Sequence, residues 1–172
     1  DRSPSRGLGD VYKRQAHTAH TVQAPLAGDI VAMGAIADPA FAAGALGQAV
    51  GVIPAATTTT AHVVAPVAGK VISVAKTGHA YGIKTDDGIE ILVHIGIDTV
   101  KLDGAGFTPR VERKQHVDVG DVLAEVDFGS IRDAGVDPTV ITTVVNAKKL
   151  TAVEDVAPGA VLAGDPVMEV KL

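Results

Sequence analysis

The chain of 172 residues contains no cysteine and no tryptophan, and only 3% of its residues are aromatic. The lack of cysteine excludes disulfides, thiolate metal ligands and a cysteine nucleophile, and it is compatible with a cytoplasmic protein. Hydrophobic residues nevertheless make up 47% of the chain, so the core has to be built from valine, isoleucine, leucine and alanine. With 19 glycines and 9 prolines, this composition is typical of a β-rich domain with many turns.

Two further absences concern membranes and nucleic acids. No apolar run approaches the roughly 18–20 residues of a membrane-spanning helix, and the polar N-terminus lacks the apolar stretch of a signal peptide. The formal net charge of −5 argues against a nucleic-acid-binding protein. We therefore expect a domain with no direct membrane insertion and no nucleic-acid partner.

Residues 1–20 differ from the rest of the chain. They are rich in arginine, lack periodic apolar residues and begin without methionine. Residues 1–15 also resemble a non-native tract that recurs at the ends of assembled sequence reads. We expect residues 1–20 to be a disordered or non-native tail or linker and residues 21–172 to form the folded domain.

The expected folded part contains two pairs of repeats. The pattern V-x-A-P-[LV]-A-G-x-[IV] occurs at residues 22–30 and 63–71, and residues 117–126 and 161–170 share a valine, G-D and E-V. Because the order is first, first, second, second, two strand-turn-strand units have to interlock. The repeats are too few for a solenoid. They predict an all-β fold, an antiparallel sandwich or barrel with internal duplication of the barrel-sandwich hybrid type.

Residues 78–98 predict a β-hairpin. Two apolar runs flank Asp86-Asp87-Gly88, and an Asp-Gly pair between such runs is a strong signal for a tight turn. If Asp87 and Gly88 form a two-residue loop, Tyr81 lies opposite His94. The numbers of all paired residues then sum to 175.

This register places two histidines on one face of the hairpin. His79 then pairs with Gly96 and lies diagonally to His94, whereas a three-residue loop would place the histidines on opposite faces. The other face carries an unbroken β-branched stripe that we expect in the core, namely Ile89, Ile91, Val93, Ile95 and Ile97. The histidine pair alone is compatible with metal binding, proton transfer, phosphoryl transfer or a structural role.

Residues 78–107, GHAYGIKTDDGIEILVHIGIDTVKLDGAGF, are similar to the signature segment of the glucose-type enzyme IIA family of the bacterial sugar phosphotransferase system. The GIDTV run at residues 96–100 matches the family residue for residue, and the similarity extends over about residues 22–170. The resemblance implies a phosphotransferase component in which His94 accepts a phosphoryl group from phosphorylated HPr. The group would then pass to a cysteine of an enzyme IIB domain, for sugar uptake and phosphorylation.

The same resemblance implies roles for neighbouring residues. His79 would assist the transfer, Thr77 would orient the histidine pair, and the carbonyl of Gly96 would fix the tautomer of His94. Asp98 would orient the assisting histidine or meet basic residues of HPr, although a turn residue is also expected after a strand. Asp38 and Phe41 (equally a candidate core residue) match family positions that meet HPr. The chain departs from the family at Ala75 and Leu92, which occupy two positions where aromatics are common, and Leu92 would form an apolar docking rim.

The resemblance further implies a cytoplasmic domain, placed at the cytoplasmic face of the membrane if it belongs to a larger permease. No cofactor is required. A zinc ion held by His79 and His94, with Asp98 nearby, is a secondary feature that would depend on a partner. The function expected here therefore involves two partners, HPr as the phosphoryl donor and an enzyme IIB domain as the acceptor, the latter in the same or a separate polypeptide.

Two alternative functions share features with this sequence. A zinc-dependent M23-like peptidase of related fold needs a His-x-His pair with a separate histidine and aspartate, whereas this chain has His94-Ile95-Gly96. A non-catalytic biotinyl- or lipoyl-like carrier needs a lysine at a hairpin tip, commonly beside methionine. Neither Met33 nor Met168 has an adjacent lysine.

Overall fold

The computed structural model describes residues 19–147, 152–155 and 159–171. Within these residues the chain forms fourteen strands, two short α-helices and two 3₁₀ helices. The strands are β1 (Ala19–Gln23), β2 (Gly28–Ala32), β3 (Gln48–Ile53), β4 (Thr60–Val64), β5 (Gly69–Val74), β6 (Ala80–Lys84), β7 (Glu90–Ile97), β8 (Phe107–Pro109), β9 (His116–Val117), β10 (Val122–Asp127), β11 (Asp137–Val144), β12 (Ala152–Asp155), β13 (Ala160–Val161) and β14 (Pro166–Lys171). The helices are α1 (Pro39–Ala42) and α2 (Phe128–Asp133), and the 3₁₀ helices are Met33–Ala35 and Thr99–Leu102.

Most of the expected N-terminal tail, residues 1–18, lies outside the described residues, and β1 begins at Ala19. In the part of the chain that the structure covers, no helix is both long enough and apolar enough to cross a membrane.

The described strands are arranged in three antiparallel sheets. The largest has the order β13-β2-β3-β11-β7-β6-β5-β9, and two three-stranded sheets have the orders β1-β14-β12 and β4-β10-β8. Every recorded pair is antiparallel. This arrangement confirms the prediction of an all-β antiparallel sandwich. Its physical reason is that β-branched and small residues build pleated, half-buried surfaces in preference to helices.

The repeats in the sequence reappear as repeated strands that interlock. Strand β4 has the bounds of β1 shifted by a constant offset, and β5 begins at the same offset from β2 but is one residue longer. Strands β13 and β14 have the bounds of β9 and β10 shifted by a second constant offset. Two backbone hydrogen bonds join the copies reciprocally. The Gln23 N–H donates to the Pro66 carbonyl over 3.0 Å, and the Val64 N–H donates to the Pro25 carbonyl over 2.8 Å. These residues hold equivalent places in the motif, so each copy completes the other.

The glycine of the repeated motif is required by close backbone approach. A Cβ atom on Gly28 would overlap the carbonyl oxygen of Ile53, and one on Gly69 would overlap the carbonyl oxygen of Lys84. The overlapping atoms belong to the backbone of the neighbouring strand, which cannot rotate away as a side chain can. Glycine at these two positions therefore sets the spacing of paired strands.

We expect Gly69→Ala to lower the free energy of unfolding by about 1–3 kcal/mol, the range typical of overpacking, because the β6 backbone has to move. Gly34→Ala is a matched control, since no atom lies within 4 Å of a Cβ at that position. Urea unfolding followed by circular dichroism measures both variants. Equal stability of the two variants would contradict this explanation of the motif.

The core contains the stripe that the sequence predicted. Ile89, Ile91, Val93 and Ile95 are at most 1% exposed and lie in the main core between the sheets. Ile97 is buried in a smaller apolar cluster, which also contains Ile36, Phe41, Ala49 and Ile141. Strand β7 is thus anchored by four residues of its inner face, which fixes the residues on its outer face. The prediction is wrong for Ile97, which follows the positive φ of Gly96 and packs in the cluster on the His94 side.

The hairpin of β6 and β7 exists, but the predicted register is wrong by one residue. Ala80 and not Tyr81 lies opposite His94. The loop has three residues, because the Thr85 N–H donates to the Ile89 carbonyl on its far side. A two-residue type I′ loop needs positive φ at both residues, whereas a type I turn followed by a left-handed glycine needs it at one. Only the glycine of this loop, Gly88, adopts a positive φ among the described loop residues.

Candidate active site

The two predicted histidines meet, although the true register would separate them. Their ring centroids lie 5.1 Å apart, with the ring planes at 79°. Strand alternation does not govern His79, because β6 begins at Ala80 and His79 belongs to the bend that precedes it. The His79 carbonyl accepts a hydrogen bond from the Ile95 N–H over 2.6 Å, which ties this bend to the strand that carries His94.

His94 is held in one tautomer by the backbone. It lies on β7 between Val93 and Ile95, which are both fully buried. Its Nδ1 is 2.7 Å from the carbonyl oxygen of Gly96. Because a carbonyl only accepts, Nδ1 carries the proton and Nε2 of the neutral ring keeps its lone pair. The free Nε2 is therefore a nucleophile or a metal ligand.

His79 is held by a side chain from its own bend. Its Nδ1 lies 2.5 Å from Oγ1 of Thr77, and a hydroxyl can donate to this nitrogen or accept from it. Between them, Gly78 has φ of 76°, and a Cβ there would lie 3.0 Å from the ring of Pro109. The bend is thus shaped by a left-handed glycine packed under a neighbouring strand.

An apolar wall lies on the other side of His94. The ring of Phe41 packs against the imidazole, with centroids 5.4 Å apart and planes at 59°. Phe41 belongs to α1 and is only 4% exposed, because it is also part of the smaller core cluster. Leu92 is half-buried against the same cluster and lies on the outer face of β7 with His94. The Phe41 ring therefore forms part of the apolar wall behind His94 and leaves little surface exposed to a partner.

The two predicted carboxylates act on the site through their charge. Asp38 caps α1, accepting from the Ala40 N–H over 2.9 Å. Asp98 is exposed, has φ of 64° and precedes the 3₁₀ helix, with its carboxylate 4.0 Å from Nζ of Lys101. Both carboxylates raise the pKa of His94, but burial has the larger effect.

Burial lowers the pKa of both histidines below the ordinary value. For His94, burial is opposed by the hydrogen bond to the Gly96 carbonyl and by the charges of Asp38 and Asp98. For His79, burial lowers the pKa and the neighbouring His94 lowers it further. A histidine with a pKa below about 6.5 is mostly neutral at pH 7. Each ring therefore has a nitrogen lone pair without first having to lose a proton.

We expect Asp38→Asn to lower the pKa of His94 further, because the carboxylate stabilises the charged imidazolium. Asparagine is also a good N-cap, so α1 is retained. The change is measured by NMR titration of the His94 ring, whose midpoint should move to lower pH. Asp118→Asn, which removes a carboxylate beside the exposed His116, is the control and should leave the midpoint of His94 in place. A midpoint that moved up in Asp38→Asn would show that the sign of this coupling is wrong.

Two further histidines, His62 and His116, form contacts of their own with carboxylates. His62 is 3.7 Å from Glu125, and His116 is 3.8 Å from Asp118; both histidines are exposed. His17 lies outside the described residues. Within the described parts of the chain, no three histidine, aspartate or glutamate side chains are grouped so that they could hold a metal ion. The Nε2 atoms of the central pair would supply two of the four ligands that zinc prefers.

The structure adds one residue that the sequence did not single out. Thr99 is fully buried, and its hydroxyl donates to the carbonyl of Ile95 over 2.5 Å. Its only signal in the sequence is its place in the GIDTV run. The predicted residues that the structure joins by direct contact with one of the two histidines are Thr77, Gly96 and Phe41.

A family model described as "phosphoenolpyruvate-dependent sugar phosphotransferase system, EIIA 1" matches residues 20–150. A glucose-specific EIIA component of Halalkalibacterium halodurans is 37% identical over 92% of this chain and 91% of its own length. Among solved structures, glucose permease IIA from Mycoplasma capricolum has a TM-score of 0.74 and 36% identity, covering 88% of this chain and 95% of that chain.

Other relatives are much longer than this chain. A beta-glucoside-specific EIIBCA component of Dickeya chrysanthemi is 40% identical over 87% of this chain but over only 23% of its own length. The chain thus spans about a quarter of the length of such relatives, and nearly all of the length of others. From the match over residues 20–150 and these relatives, the chain belongs to the EIIA 1 family of the phosphoenolpyruvate-dependent sugar phosphotransferase system.

Proposed function

We propose that this chain is a phosphocarrier in which Nε2 of His94 accepts a phosphoryl group from phosphorylated HPr and passes it to a cysteine of an EIIB domain. The observation that carries the proposal is the hydrogen bond from Nδ1 of His94 to the Gly96 carbonyl. It leaves Nε2 with its lone pair, beside a second histidine and an apolar wall. Family membership supports the role in sugar uptake.

The transfer is an in-line displacement at phosphorus. The lone pair of His94 Nε2 forms the new N–P bond while the N–P bond of the donor breaks, and the donor ring recovers its electron pair. The His94 ring gains positive charge as the bond forms, and the Gly96 carbonyl stabilises that charge through Nδ1–H. The protein therefore contributes mainly position and electrostatics, as is usual for phosphoryl transfer.

His79 is suited to hold the transferring group. If the Thr77 hydroxyl donates to Nδ1 of His79, the ring proton lies on Nε2 and can be donated to a phosphoryl oxygen. The 5.1 Å between ring centroids places this donor beside the nucleophile. Burial lowers the pKa of His79 and so favours the neutral ring, in which the contact with Thr77 decides which nitrogen carries the proton.

The names of relatives support an EIIB partner. Several are EIIBCA components, of beta-glucoside, mannose and glucose specificity, so we propose that EIIB acts from the same or a separate polypeptide. Because these names include several sugars, we propose a role in sugar uptake and assign no single sugar. We also place the domain in the cytoplasm, where HPr and EIIB would meet it.

Zinc is proposed only as a feature of a complex with a partner. For zinc binding the Thr77 hydroxyl would accept from Nδ1–H of His79, so that Nε2 of His79 and Nε2 of His94 would each offer a lone pair to the ion, which would supply positive charge at the site. A partner would have to complete the tetrahedral set. A hydrolytic zinc enzyme is not favoured, because the described residues hold no three-ligand group and the family is a phosphotransferase component.

The test is incubation of the full chain with phosphorylated HPr, followed by intact mass measurement at mildly alkaline pH. We expect a gain of one phosphoryl group that is lost on acid treatment, since the P–N bond of a phosphohistidine is acid-labile. Unphosphorylated HPr is the control. No gain in mass would overturn the phosphocarrier proposal.

A further inference from the structure

The end of strand β7 is held by the buried hydroxyl of a residue that follows the strand. Thr99 is 0% exposed, and its Oγ1 donates to the Ile95 carbonyl over 2.5 Å. On the other side of the same residue, the Ile95 N–H donates to the His79 carbonyl over 2.6 Å. Ile95 is therefore fixed both to the bend of one histidine and to the turn that follows the other.

The methyl group of Thr99 makes a second contact at this point. Gly96 has φ of 80°, and a Cβ added there would overlap the Cγ2 methyl of Thr99 and lie 3.0 Å from the carbonyl oxygen of Asp137. The methyl thus occupies the space that the missing side chain of Gly96 leaves. Together, hydroxyl and methyl hold the Ile95–Gly96 peptide between them.

From these contacts we propose that Thr99 is a positioning residue for His94 and acts through the Gly96 carbonyl; this inference rests on the proposed phosphocarrier function. The Gly96 carbonyl fixes the His94 tautomer only while it stays 2.7 Å from Nδ1. Gly96 has no side chain that could restrict its own φ and ψ, so its orientation has to come from neighbours. The Thr99 side chain contacts the carbonyl of the residue before that glycine and fills the space beside the glycine itself.

Removal of the hydroxyl should loosen this arrangement. Thr99→Val keeps the shape and the methyl but leaves the Ile95 carbonyl without its side-chain donor. The Gly96 carbonyl then samples orientations away from Nδ1, the two tautomers of His94 approach each other in population, and less of the ring carries its lone pair on Nε2. We expect phosphoryl uptake to slow by about threefold to tenfold, the effect of one hydrogen bond.

The experiment compares Thr99→Val with Thr99→Ser and Thr142→Val. Serine restores the hydroxyl and should recover most of the rate that valine loses. Thr142, on β11, is also a fully buried threonine, but its hydroxyl has no partner. Thr142→Val therefore controls for the loss of any buried hydroxyl. It should take up phosphoryl groups at the wild-type rate.

The decisive readout is the ¹⁵N spectrum of the histidine rings, which reports the tautomer directly. The signals of His94 are identified by their absence in His94→Gln. We expect a Nδ1–H tautomer in the wild-type protein and in Thr142→Val, and a mixture in Thr99→Val. An unchanged His94 tautomer in Thr99→Val, with an unchanged rate, would overturn the inference. Failure of the wild-type protein to accept a phosphoryl group would overturn the proposed function instead, and the nitrogen spectra would still decide the role of Thr99.

A second pair of variants keeps the inference testable if Thr99→Val does not fold. Gly96→Ala places a Cβ against the Thr99 methyl, and Thr99→Ser removes that methyl. We therefore expect the double variant to regain part of the rate and part of the Nδ1–H tautomer that Gly96→Ala loses. A double variant no better than Gly96→Ala would overturn the proposed contact.

Discussion

Replacement of His94 by glutamine is expected to abolish uptake of a phosphoryl group from phosphorylated HPr. A glutamine amide has no lone pair on nitrogen that can attack phosphorus, while its polar group takes the place of the Nε2 end of the ring at similar volume. The variant therefore loses the nucleophile with little loss of local structure. Removal of a nucleophile commonly costs about four orders of magnitude or more in rate. Intact mass at mildly alkaline pH after incubation with phosphorylated HPr measures this loss.

Two further histidine variants make the result specific. His116→Gln changes an exposed histidine that lies beside Asp118, and it should accept a phosphoryl group as the wild-type protein does. His79→Gln keeps the nucleophile and loses the assisting ring, so uptake should be slower than in wild type but faster than in His94→Gln. A phosphoryl group that still appeared on His94→Gln at the wild-type rate would move the acceptor to another residue.

The correctly predicted fold and the wrongly predicted hairpin register show which features a sequence can predict. The β-branched stripe on β7 requires a buried face, and the motif order requires interlocked copies. Both are properties of the pattern, and both are confirmed except at Ile97, which packs in the smaller cluster. Loop length is different, because Asp86-Asp87-Gly88 is compatible with a two-residue and with a three-residue loop. The choice depends on which residue takes positive φ, an energy difference too small to read from residue types. An error of one residue in the register reversed the predicted face of every residue of β6 relative to β7.

The histidine pair was predicted for a reason that does not hold. His79 and His94 share a side because His79 precedes β6 in a bend, not because strand alternation carries it there. The bend depends on Gly78 packing under Pro109, a contact between residues that are distant in sequence. Thr99 was missed for a related reason. Its role requires Asp98 to adopt φ of 64°, which turns the chain so that the threonine packs back onto the strand that it follows.

Gly96→Ala is expected to lower the free energy of unfolding by about 2–5 kcal/mol and to slow phosphoryl uptake by roughly tenfold or more. Two costs add at this position. A positive φ of 80° disfavours any residue with a Cβ, by about 1–2 kcal/mol, and the Cβ would overlap the Thr99 methyl and crowd the Asp137 carbonyl, by about 1–3 kcal/mol. Because the carbonyl of the same residue holds Nδ1 of His94, any relief of the overlap moves the group that fixes the tautomer.

Gly88→Ala separates the two costs. Gly88 has φ of 90°, but no atom lies within 4 Å of a Cβ built on it, so alanine there should cost about 1–2 kcal/mol from the backbone alone and leave phosphoryl uptake unchanged. Urea unfolding and the uptake assay, run on both variants, compare the two positions. If Gly96→Ala were no less stable than Gly88→Ala, the overlap with Thr99 would be absent. If Gly96→Ala were less stable than Gly88→Ala yet fully active, the backbone carbonyl at residue 96 would keep its position without glycine. That result would contradict the inference that Thr99 positions His94 through Gly96.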